Sequence, residues 1–209
     1  MAPPSREKEQ RRAQILAVAT EVFAEKGYHD ARIDDIVVGA GIARGTFYLY
    51  FSDKRAIFEE LVDGFLARLD ASIERIELTD NAPRHMNEIA ENLRRVFARF
   101  AAEPAMARIL LSAAVGIDAD FDRKLLAFYD EVTAMLSRAL TQGEAAGLVR
   151  PGNADLRAHC LTGALKECLH QLMLRRADLD PEALLGALLD LVADGLFTEI
   201  SRSAAGRSR

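Results

Sequence analysis

Two clusters of residues carry types and spacings that chemistry can use. The first is 33–55, IDDIVVGAGIARGTFYLYFSDKR, in which Gly41 separates two short helical stretches, 33–40 and 43–50. On a helical wheel centred on Phe47, Phe51 lies about 40° to one side and Ala43 about 40° to the other, so these three share a buried face. Gly45 and Leu49 stand opposite them, with Thr46 and Tyr48 on the flanks. A helix whose outer face carries Gly, Thr and Tyr can press its backbone close to another surface, where bulky charged side chains would hold it away. The second cluster is His159, Cys160, Cys168 and His170, side chains suited to a transition metal. On one expected helix the two His stand about 16 Å apart, and the two Cys about 12 Å apart and turned by about 80°. Ligands of a single metal lie about 2 Å from one centre. The set therefore reads as buried thiols and a His at a polar edge, and neither a metal nor a cofactor is expected.

The elements that position these residues are helices. Apolar residues recur at helical spacing almost throughout, and alternating β-branched runs are absent, so the expected fold class is all-α with about nine helices. The first runs from about Glu7 to Lys26, with Ile15, Val18, Ala19, Val22 and Phe23 as its buried stripe and Gly27 as its stop. After the two short pieces, a long helix is expected from Lys54 to about Leu78. Others cover 84–102, Pro104 to about Val115, about 118–147, 153–176 capped by Asn153, and a last one opened by Asp180, Pro181 and Glu182. Asp34 and Asp35 read as first-turn acids favoured by a helix dipole.

The charge is unevenly spread. The 209 residues carry a net −5, yet residues 1–55 hold 9 Lys/Arg against 8 Asp/Glu and residues 56–209 hold 18 against 24. A mildly basic head on an acidic body permits a small polyanion-binding surface at one end and excludes a wholly basic wrapper. The start, MAPPSREKEQRR, lacks the apolar stretch of a signal peptide, and Asp190 and Asp194 interrupt the apolar run 183–197. With two Cys in a chain of this size, a cytoplasmic protein with reduced thiols is expected.

The stretch Gly27–Phe58, GYHDARIDDIVVGAGIARGTFYLYFSDKRAIF, resembles the DNA-binding domain of the TetR family of bacterial transcriptional regulators, most specifically in the GTFYLYF block followed by Asp53 and Lys54. Clear resemblance covers roughly residues 10–60. It implies an N-terminal three-helix domain with a helix-turn-helix over 1–55, a larger helical effector-binding and dimerisation domain over 56–203, and a tail at 204–209. It further implies that 43–50 is the recognition helix, lying in the major groove of double-stranded DNA. Arg44 would reach a base edge or phosphate, Gly45 would allow close backbone approach, and Thr46 would bond a phosphate or base. Tyr48 and Tyr50 match the family's backbone-contacting tyrosines, Leu49 suits a thymine methyl, and Lys54 would put its ammonium on a phosphate. Ala31, Arg32 and Ala43 depart from the pattern, which usually has Ser or Thr before these helices, and Val37 stands where a small residue is common. A hydroxyl cap is thus missing, at a typical cost of about 1 kcal/mol, and Arg32 is a candidate substitute for the hydroxyl's phosphate bond.

By the same resemblance, a hydrophobic or amphipathic small molecule would act on the C-terminal helices, with Phe65, Phe97, Met106, Phe128, Tyr129, Lys166 and His170 as candidate pocket residues. Gly163, Ala164, Gly186, Ala187 and Leu191 offer small and apolar surface for a homodimer. The overall expectation is a repressor that binds a palindromic operator and is released by its ligand. Gly-x-Ser-x-Gly, phosphate-loop and His-Glu-x-x-His signatures are all missing from the sequence, so catalysis is not expected. A protein–protein adaptor that has lost DNA binding is the alternative, and an enzyme using the C-terminal pocket is a more distant one.

Overall fold

The computed structural model describes residues 6–74, 82–112, 119–175 and 179–197. Among these residues the chain is all-α. Its nine helices are α1 (Arg6–Asp30), α2 (Ile33–Ala40), α3 (Arg44–Tyr48), α4 (Lys54–Asp70), α5 (Ala82–Ala102), α6 (Pro104–Ser112), α7 (Ala119–Ala145), α8 (Ala154–His170) and α9 (Pro181–Leu196). A π-helical turn, Gln171–Arg175, continues α8, and one isolated antiparallel bridge joins Val149 to Phe197. No helix among the described residues is long and apolar enough to cross a membrane. The expected tail at 204–209 and the stretch 75–78 lie outside the described residues.

The chain forms two compact units. The first comprises Met1–Arg68 and Glu103–Asp122, the second Leu69–Ala102 and Arg123–Arg209. In the first, α1 packs on α2 and α6. Ile15, Ala19 and Phe23 are buried along α1, and Val18 and Val22 are half-buried at the margins of that stripe. Gly39 lets α2 lie close to α1, because a Cβ there would come within 2.7 Å of Val18 Cγ1. Gly41 ends α2 in the left-handed region at φ 62, and the N–H groups of Gly41 and Ile42 close back on the carbonyls of Val38 and Val37. Phe58 on α4 sits edge-on to Phe23 at 5.1 Å between ring centres and 4.7 Å from Tyr28. These rings hold the start of α4 against the end of α1.

In the second unit, Leu140, Val149, Ala158, Val192, Leu196 and Phe197 form one buried cluster. Asn153 caps α8 by accepting from the Leu156 N–H at 3.0 Å, and Asp180 caps α9 at Glu182 with Pro181 in the first turn. Between α7 and α8 run three polar rungs: Lys166 over the Tyr129 ring at 5.0 Å, Thr133 to Thr162 at 3.1 Å, and Ser137 donating to Asp155.

Three expectations need correction. The helix starting at Lys54 ends at Asp70, because the Ser72 hydroxyl takes the Leu69 carbonyl at 2.6 Å and Asn92 takes both backbone groups of Glu74. Ala43 is exposed, because it is the N-cap of α3 with extended backbone (φ −74, ψ 149), not a residue on its wheel. Cys160 is exposed on the outer face of α8, and Cys168 is half-buried.

Candidate nucleic-acid interface

The interface is built on α3, a helix of five residues held in place by its neighbours. Phe47 is fully buried and Phe51 nearly so, with their rings 5.9 Å apart. These two side chains anchor the helix and fix which side faces out. That outer side carries Gly45, Tyr48 and Leu49, the last at 75% exposure, with Thr46 and Tyr50 half-buried beside it. Burying a leucine side chain is worth roughly 1.5–3 kcal/mol, so a partner that covers Leu49 gains by doing so. On α2, Val38 at 79% exposure is a second apolar point that helical spacing in the sequence did not single out.

Arg44 opens α3 and is braced by α2. Its guanidinium donates to Asp34 of α2 at 2.9 Å, and Tyr48 follows one turn on. Its pKa is pushed up, by the neighbouring Tyr48 first and then by the Asp34 carboxylate. Asp34 therefore does more than favour a helix dipole, since it aims the arginine at the start of the outer face. Nothing in the spacing of Asp34 and Arg44, ten residues apart, announces this pair.

Arg32 is the N-cap of α2, exposed and extended at φ −114 and ψ 151. No hydroxyl is available at Ala31 or Arg32, and Asp35 supplies the cap from the other direction. Its carboxylate accepts the Arg32 N–H at 3.0 Å and pairs with Lys26 at 2.8 Å. The Lys26 bond and then the Arg32 N–H hold the Asp35 carboxyl below the usual range. The α2 start is thus tied to α1. Ala43, by contrast, leaves the first turn of α3 without a side-chain cap.

Lys54 occupies an unexpected place. Its ammonium donates to the carbonyls of Tyr28 (2.6 Å), His29 (3.2 Å) and Ala31 (3.0 Å), and lies 4.4 Å from the centre of the Tyr28 ring. Three carbonyls match the three ammonium donors. Burial pushes its pKa down, with Asp30 opposing. In this geometry Lys54 fastens the start of α4 to the end of α1, and so positions the helix-turn-helix lying between them in the sequence.

The candidate effector and dimer residues fall into two groups. Phe65 and Met106 are buried in the first unit, whereas Phe97, Phe128, Tyr129, Lys166 and His170 belong to the second. Within that second set Phe97 is buried, Phe128, Tyr129 and His170 are half-buried, and Lys166 is exposed above Tyr129, whose pKa burial raises. Gly163, Ala187 and Leu191 are exposed, while Ala164 and Gly186 are half-buried against their own protomer. Leu156, at 63% exposure on the same face of α8 as Cys160 and Gly163, is a residue the sequence pattern did not reveal.

Residues 15–61, which hold the whole of this interface, match the family model of bacterial regulatory proteins, tetR family. The fatty acid metabolism regulator protein of Bacillus subtilis is 26% identical over 188 residues, covering 89% of this chain and 95% of the relative. The transcriptional regulator EthR of Mycolicibacterium smegmatis is 34% identical over 99 residues, covering 47% of this chain and 45% of its own. Among solved structures, FadR from Bacillus subtilis in complex with stearoyl-CoA superposes with a TM-score of 0.69 at 26% identity, covering 88% of this chain and 98% of that one. A TetR-like regulator from Rhodococcus shares the fold at TM-score 0.74 and 18% identity, covering 93% and 98% of the two chains.

Proposed function

Because the chain belongs to the tetR family of bacterial regulatory proteins, we propose that it is a repressor that binds a palindromic operator as a homodimer and leaves it when an amphipathic ligand binds. The observation that carries this reading is the outer face of α3, where Gly45, Tyr48 and Leu49 turn to solvent while Phe47 and Phe51 hold the helix from behind. A glycine at the point of closest approach and an exposed leucine fit a major groove, with Arg44 on a base edge or phosphate. Residues 1–55 form the reading head in this proposal, and 56–203 carry the effector site and the dimer face.

For the effector we propose a long-chain fatty acyl thioester. The relative aligned over 95% of its length regulates fatty acid metabolism, and the FadR structure holds stearoyl-CoA. The chemistry of the second unit agrees. Phe97 and Phe128 supply apolar surface for an acyl chain, while Lys166, Tyr129 and His170 supply donors for a polar head. Helix α4 runs unbroken from Lys54, at the helix-turn-helix, to Asp70. A modest tilt of such a rod changes the separation of two recognition helices, which must match whole turns of DNA.

Saturating stearoyl-CoA is expected to weaken operator binding about 100-fold, which needs about 2.7 kcal/mol of coupling. Lys166→Ala is expected to bind operator as the unmodified protein does and to lose most of this response. Fluorescence anisotropy of a labelled operator, with and without the thioester, reads both. Identical isotherms for the unmodified protein in both conditions would overturn the assignment of effector class.

A further inference from the structure

A groove of about 1100 Å³ opens beside the outer face of α3. One wall is the first turns of α1, with Glu7, Lys8, Gln10, Arg11 and Gln14; the other is Leu49 and Tyr50, directly after α3. We propose that this groove holds the sugar-phosphate backbone of duplex DNA just outside the base pairs that α3 reads. The proposal rests on the DNA-binding reading above and extends the binding surface to a part of the chain that the helix-turn-helix does not include.

Three observations carry it. The first is continuity, since Leu49 both lines the groove and stands on the outer face of α3. A duplex seated on α3 therefore meets the groove. The second is the chemistry of the lining. Lys8 and Arg11 lie three residues apart on α1, where helical neighbours stand roughly 5–6 Å apart at Cβ. Gln10, Gln14 and Tyr50 add neutral donors, against the single carboxylate of Glu7. Cations with amide and phenol donors are the groups that hold phosphate and sugar oxygens without reading sequence. The third is order. Arg11 donates to the Gln14 side chain at 2.7 Å, and Gln14 donates in turn to the Ala40 carbonyl at 3.1 Å, at the end of α2. This relay ties the position of Arg11 to the helix-turn-helix itself. Arg12, next in sequence, is engaged elsewhere, paired with Glu60 and lying 4.7 Å from the Phe51 ring centre. Lys8 and Arg11 are the cations among the residues that line the groove.

The test uses the full chain, a Lys8→Ala/Arg11→Ala double variant, and two duplexes. One duplex ends at the bases selected by the protein; the other carries six or so further base pairs on each side. The double variant is expected to bind the long duplex about 10-fold more weakly than the unmodified chain. The slope of log affinity against log salt should fall by about 0.9 for each phosphate that the variant no longer neutralises. On the short duplex the two proteins should bind alike. Equal affinity and equal slope on the long duplex would overturn the groove proposal, as would the same weakening on both duplexes. Failure of the unmodified chain to bind either duplex would overturn the DNA-binding reading and the groove proposal with it. Circular dichroism of the double variant is expected to match the parent, since both side chains are exposed.

Discussion

Gly45→Glu is expected to abolish operator binding while leaving the fold intact. Nothing lies within 4 Å of a Cβ built at Gly45, and the residue is exposed in the first turn of α3. The side chain therefore has room in the free protein. Replacing a helical glycine removes a penalty of up to about 1 kcal/mol, so the melting temperature should hold or rise slightly. In the proposed complex the same position approaches DNA closely, and a carboxylate there would meet phosphates with both bulk and like charge. A loss of at least about 100-fold in affinity, or about 2.7 kcal/mol, is expected. Gly45→Ala separates the two causes, because it adds bulk without charge and should lose less. Anisotropy on the operator and a thermal melt read the pair of effects. Binding by Gly45→Glu equal to that of the parent would remove α3 from the interface.

Ala187→Glu is expected to give a folded monomer that binds operator poorly. Ala187 is exposed on α9, four residues before Leu191, which is 66% exposed. On α8, Leu156 and Gly163 present a similar face, and α8 packs on α9 within the second unit. Two leucines and several small residues on adjacent exposed helices suit pairing with a second copy of the same surface. A glutamate facing its two-fold mate there carries like charges into an apolar interface. The monomer's own packing is untouched, so far-ultraviolet circular dichroism should not change. Losing the second half-site removes the gain from linked binding, typically a factor of about 10² to 10⁴. Light scattering with operator titration tests this, and a dimer of unchanged affinity would place the interface elsewhere.

The parts of this architecture that were legible in the sequence are those decided by neighbours in the chain. Gly41, Asn153, Asp180 with Pro181, and Pro104 each mark a helix end through local backbone chemistry, and each does so in the structure. The burial of Phe47 and Phe51 follows from helical spacing alone. What was not legible depends on groups brought together from a distance. Ser72 and Asn92 end α4 earlier than its apolar pattern implies, because they offer its last carbonyls and the following backbone other partners. Ala43 has the right spacing for the buried face, but a cap residue leaves the helical path. At the candidate interface, the types and order of Arg44, Gly45, Tyr48 and Leu49 pointed to their exposed side. The Asp34 brace on Arg44 and the three carbonyls that hold Lys54 are long-range pairings with no sequence spacing of their own.

If α3 reads a specific duplex sequence, selection from a random duplex pool by the unmodified chain will reveal it. Enrichment of two half-sites related by a two-fold axis is expected, with centres separated by a whole number of DNA turns, roughly 34–36 Å each. The same selection with Gly45→Glu is expected to enrich nothing. If the unmodified chain enriches no sequence, or if Gly45→Glu enriches the same one, α3 is not the reading element.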